Sequence, residues 1–98
     1  MAMTEHDWIL VLYLAGPTPV AKRALANINS ICENHLNGHY SVEVVDLIEN
    51  PAMAESDQIF AVPTLVRRNP GPIRKMIGDL SDHQKVMAGM DIPATARG

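Results

Sequence analysis

Few side chains in this sequence are suited to chemistry, and their spacing argues against most of it. Cys32 is its one cysteine. Dithiol–disulfide exchange needs two sulfurs beside a helix N-terminus, where the helix dipole lowers a thiol pKa. Helical spacing instead sets Cys32 in line with Ala21, Leu25 and Ile28, so it reads as a small core residue. Among four histidines, His35 and His39 are four apart, but Gly38 between them ends a helix and takes them off a shared face. His6 and His83 stand alone, so no metal-ligand spacing arises. Glu55 and Asp57 read as solvated carboxylates on a short exposed helix, and Asp46 at a strand end has no acid or base partner in sequence. Gly71, Gly78 and Gly89 are too scattered to cradle a phosphate. No cofactor, metal or catalytic residue is implied.

What remains is a surface. Arg67, Arg68, Arg74 and Lys75 bracket the Asn69–Pro72 turn, and five of the eight basic residues fall between Arg67 and Lys85. One reading is an edge hairpin whose charges deter aggregation. Another is a docking face for an acidic protein partner. RNA ranks third, because Trp8, Tyr13, Tyr40 and Phe60 are the only aromatics and none interleaves the cluster. A net charge of −3 also argues against broad binding to nucleic acid. The residues expected to touch a partner are Lys22 and Arg23 on the first helix, Asp46, and Arg67, Arg68 and Arg74 around the turn.

These residues need a scaffold, and 98 residues make one small domain, 1–98, with an ordered core expected over about 7–92. Hydrophobic residues at 47 % and charged residues at 19 % suit a folded globule. The longest apolar run, Trp8 to Ala15, is too short to cross a membrane, and the N-terminus lacks a basic leader, so a cytoplasmic, reduced protein is expected. That near-continuous run reads as a strand covered on both faces. Thr18 as N-cap and Pro19 at the first helical position open a helix that Gly38 closes. Tyr40, Val42 and Val44 alternate into a second strand reaching about Leu47, which completes a βαβ unit.

The second half is less strongly patterned. Asn50-Pro51 opens a short acidic helix to about Ile59, Val62 to Arg67 reads as a strand, and Ile73 to Ile77 returns as a hairpin arm. Ser81 with Gln84 forms a capping box before a last helix that Gly89 interrupts and Pro93 ends, with a frayed tail from Ala94. The order β-α-β-α-β-β-α is the thioredoxin-like α/β arrangement. Pro63 stands where such folds commonly carry a cis-proline.

Leu12-Tyr13-Leu14-Ala15-Gly16, Thr18-Pro19, Asn50-Pro51, Ala61-Val62-Pro63-Thr64-Leu65, Ile77-Gly78-Asp79-Leu80-Ser81, Lys85-Val86 and Gly89-Met90-Asp91 occur in this order. Together, over about Trp8 to Ile92, they resemble the KaiB family of circadian clock proteins. The resemblance implies a non-enzymatic protein that binds the N-terminal ring of the hexameric ATPase KaiC and, in cyanobacteria, sequesters KaiA. It also implies two folds: a thioredoxin-like monomer that binds KaiC, and a ground state, a tetramer or dimer, with a repacked second half. Asn50 to Asp91 is then the rearranging segment, with Pro63, Pro70, Pro72, Gly89 and Asp91 as fold-switch positions and X-Pro isomerisation as a slow step. Gly71 replaces the middle proline of the family's three-proline turn, and the chain lacks a long acidic tail, as expected of a divergent or non-cyanobacterial member. Two other readings are a sensor domain like that of the clock-output histidine kinase, and a thioredoxin-like redox domain.

Overall fold

The strand Trp8–Leu14 (β1) forms where the apolar run is longest, and its residues 10–14 are buried. Both faces being covered is what a run without polar alternation requires. The computed structural model describes residues 7–94. After β1 the chain turns at Gly16 (φ 81°), and the Thr18 hydroxyl accepts from the Ala21 amide to cap the helix Pro19–His35 (α1). This helix buries Ala21, Ala24, Ile28, Ile31 and Cys32. Leu36 is its C-cap, and Asn37 and Gly38 take the left-handed turn that leads to the strand Tyr40–Asp46 (β2).

The remaining elements are a four-residue helix Met53–Ser56 (α2), strands Thr64–Asn69 (β3) and Arg74–Ile77 (β4), and the helix His83–Met90 (α3). The sheet order is β2-β1-β3-β4, with β1 parallel to β2 and antiparallel to β3, and β4 antiparallel to β3. One face packs Leu10, Leu12 and Leu65 against α1 and against Val86 and Met90 of α3. The other carries Val11, Tyr13, Val45 and Val66, roofed by Ile59, Ala54 and Leu47. The element order and the thioredoxin-like α/β class match the sequence reading.

Local details differ from it. The acidic helix is far shorter than Asn50–Ile59, and its N-cap, Ala52, offers no side-chain acceptor. Asp82, not Ser81, caps α3 by accepting from the Lys85 amide. Gly89 does not interrupt α3: the helix runs through it, and the terminal methyl of the flexible Met76 side chain of β4 lies over it, 2.1 Å from where a Cβ would stand. The Val62–Pro63 peptide bond is cis, as the position suggested, and so are Asn69–Pro70 and Gly71–Pro72. His6 and the tail beyond Ala94 lie outside the described residues. Among those described, no helix is long and apolar enough to cross a membrane.

Candidate partner-binding surface

The loop from β1 to α1, where a redox thioredoxin holds its sulfurs, is here Gly16-Pro17-Thr18. It is tied down by Asp46, whose Oδ1 accepts from the Gly16 amide at 3.1 Å and the Ile48 amide at 2.9 Å. Asp46 therefore has structural partners of its own, the local Ile48 amide and the distant Gly16 amide. Cys32 lies fully buried within α1, and burial pushes its thiol pKa up to about 12, far from a nucleophilic thiolate. Among the described residues, no group of three or more His, Cys, Asp or Glu could hold a metal ion.

Of the expected contact residues, Lys22 and Arg23 are exposed on the first turn of α1, with Arg23 Nε 3.5 Å from Asp79 Oδ2. Asp79 also accepts from the Ser81 amide, and its bonding to Ser81, with lesser help from Arg23, holds its carboxyl below the usual range. Arg74 is exposed on β4 and pairs with Asp91 at 3.2 Å. Lys22, Arg23 and Arg74 are cations at the surface. Arg67 is not.

Arg67 is only 2 % exposed, which overturns its reading as a contact residue. Alternation along β3 sends it to the same face as Leu65, under α3. There its guanidinium donates to the Met90 carbonyl and, at 2.7 Å, to the Pro72 carbonyl, and it lies 5.6 Å from the Trp8 ring centroid. So an aromatic does meet the basic cluster, through the fold and not through sequence proximity. Among the described residues its Nε is buried without a hydrogen-bond partner. Asp91, a left-handed C-cap with φ 56°, sits 3.9 Å away. Arg67 thus joins the end of α3, the β3–β4 turn and the start of β1.

Arg68 points to the other face. Its Nη2 lies 2.5 Å from Asp57 Oδ2, and the Tyr13 hydroxyl donates to the same oxygen. Asp57 is buried, so its reading as a solvated carboxylate is also wrong. Burial raises the Tyr13 pKa, and the hydrogen bond to Asp57 adds to the shift. The three residues lie up to 55 positions apart, and no local spacing signals them. Period-two alternation could have found the opposite fates of Arg67 and Arg68.

Among the described residues, the chain presents Lys22, Arg23 and Arg74 at its surface and keeps Cys32 buried. Its fold recurs in the N-terminal domain of Synechococcus elongatus SasA, with TM-score 0.72 at 19 % identity, covering 88 % of this chain and 85 % of that one. It recurs too in mitochondrial thioredoxin 3 from Saccharomyces cerevisiae, with TM-score 0.69 at 18 % identity, covering 90 % of this chain and 80 % of that one. Such identities establish the fold alone. The KaiB family model, described as a KaiB domain, matches residues 11–92. The chain belongs to the KaiB family. It is 46 % identical over 92 residues to a circadian clock oscillator protein KaiB from Cyanothece, covering 94 % of this chain and 88 % of that protein. The KaiB protein of Thermosynechococcus vestitus is 45 % identical over 92 residues, covering 94 % and 85 %. This KaiB-family chain therefore shares clock-regulatory relatives and a thioredoxin-like fold that carries no thiol pair at the β1–α1 loop.

Proposed function

We propose that this chain is a non-catalytic regulator that binds a KaiC-type ring ATPase and modulates its phosphorylation and ATPase cycle. The observation that carries the reading is its likeness, over 94 % of its length, to proteins named as clock oscillator components. A β1–α1 loop without sulfur supports it, because the redox alternative then has no nucleophile. The sensor-domain alternative draws on the fold likeness to the SasA domain, which at 19 % identity is weaker than the KaiB relationship. Lys22, Arg23 and Arg74 are the proposed contacts to an acidic surface. Arg68 and Asp46 contribute what their internal bonds leave free.

The same reading includes a second packing, dimeric or tetrameric, in which about Asn50 to Asp91 rearranges while Trp8 to Leu47 stays fixed. Pro63, Pro70, Pro72, Gly89 and Asp91 lie in the rearranging part. Its support is that the second half, besides its apolar core residues, is joined by single polar side chains such as Arg67 and Asp57 between short elements. KaiA or a histidine kinase is a further proposed partner in the cytoplasm; nucleic acid and membrane are not.

Size-exclusion chromatography of the chain with the KaiC-type ATPase of the same organism, in ATP and in ADP, tests the reading. Co-elution in at least one nucleotide state is expected, weakened about tenfold when Arg23 and Arg74 are both reversed to Glu. Separate elution in every state overturns it.

A further inference from the structure

The two edges of the sheet are matched to each other. Strand pairing sets Lys75 beside Val66, Val66 beside Val11, and Val11 beside Glu43, so one row across the sheet begins at Lys75 and ends at Glu43. The next row runs Met76, Leu65, Leu12, Val44, and the one after it Ile77, Thr64, Tyr13, Val45. β2 and β4 are the edge strands, each paired on one side only. Because β2 is parallel to β1 while β3 reverses and β4 reverses again, the two edges point the same way.

A second copy shifted sideways, without being turned over, therefore presents β2 in parallel to β4 with the rows continued. Lys75 then meets the copy's Glu43, and Met76 meets Val44. Ile77, 66 % exposed at one edge, lies beside Val45, while Val44 at the other edge is 44 % exposed. Three of the four β4 rows then match in charge or polarity, although Val45 is itself only 4 % exposed, and the fourth sets Arg74, paired with Asp91, beside the copy's Val42.

We propose that β4 is a strand-addition site for the β2 edge of a second copy of this chain. A lysine on an edge strand normally deters pairing. Here the neighbour that relieves it is the chain's own opposite edge. The contact joins two different surfaces, so it does not close at a dimer, and sheet twist turns successive copies about the ribbon axis. With β4 only four residues long, the contact is weak.

Sedimentation velocity of the chain alone, from about 10 μM to about 1 mM, tests this. The sedimentation coefficient of the unmodified chain should rise with concentration. Glu43→Lys or Lys75→Glu alone should weaken association by roughly fivefold. The double swap should restore it, as should an equimolar mixture of the two single variants, whose edges are again complementary. Circular dichroism checks that each variant is folded. A species that stays monomeric throughout, a closed oligomer indifferent to both charges, or a double swap that fails to recover overturns the proposal. Association only with an added acidic strand-forming peptide overturns it as well. The ATPase is absent from this experiment, so its failure leaves the reading of ring binding untouched.

Discussion

The β1–α1–β2 half and the α2–β3–β4–α3 half use different means to stay folded. The first half buries a continuous strand against a 17-residue helix with five buried residues and a capped start. Its stability comes from many interchangeable apolar contacts, each replaceable by a similar side chain. The second half also buries Leu65, Val66, Val86 and Met90, but its elements are short and are joined by individual polar bonds. Arg67 ties α3 to the β3–β4 turn, and Asp57 ties the segment after α2 to Tyr13 and Arg68. The Asn27 amide, donating to the Asp79 carbonyl at 2.8 Å, ties the β4–α3 loop to α1. A half built from apolar surface degrades gradually under substitution. One whose apolar core is supplemented by single buried bonds is more sensitive to the loss of any one of them.

The largest effect expected is at Ile28, which is fully buried in α1. Ile28→Ala should cost about 2–5 kcal/mol, and urea unfolding should stay a single transition because both halves share that core. Arg67→Met should cost about 2–4 kcal/mol, since two carbonyls lose their donors and the Trp8 contact goes with them. Here hydrogen exchange should accelerate in α3 and the β3–β4 turn before α1. Uniform acceleration throughout the chain would break the contrast between the halves.

Tyr13→Phe should cost about 1 kcal/mol at neutral pH. The raised Tyr13 pKa makes a sharper test. Its contribution is fully present below the ordinary value of 10.0 and is lost as pH rises through the higher folded value. Stability of the unmodified chain should therefore fall above pH 10, and the phenylalanine variant should lack that part of the slope in thermal melts. A variant with an unchanged alkaline slope would remove Tyr13 from the account.

The smallest effect is expected at Gly89. A methyl group there meets the terminal carbon of the flexible Met76 side chain, which can move aside. Alanine also favours a helix interior by about 1 kcal/mol over glycine. Gly89→Ala should thus shift the stability of this fold by less than about 1 kcal/mol, upward if Met76 moves freely. A loss beyond that, read from the urea midpoint, would mean that β4 and α3 pack too rigidly to adjust.

Legibility followed the same division. The strand at Trp8–Leu14, the Thr18-Pro19 helix start and the βαβ order were readable because hydrophobic periodicity and caps are local signals. The second half was readable as an order of elements, yet Asp82 replaced Ser81 as the cap and α2 shrank to four residues. Short helices in polar segments take their ends from tertiary bonds, which propensity does not anticipate. The candidate surface was half legible. Lys22, Arg23 and Arg74 are exposed as their charge suggests, whereas Arg67 and Asp57 are buried because partners far along the chain satisfy them.

By itself, the chain of residues determined the order of elements, the absence of a thiol pair at the first loop, and the family. All three depend on residue identity and near neighbours. Only the tertiary structure decided which charges face solvent, which bind the halves together, and that Lys75 and Glu43 end the same row at opposite edges. The reason is that burial and register are set by strands brought together from distant parts of the sequence, and a charge has no fixed role until its partners arrive.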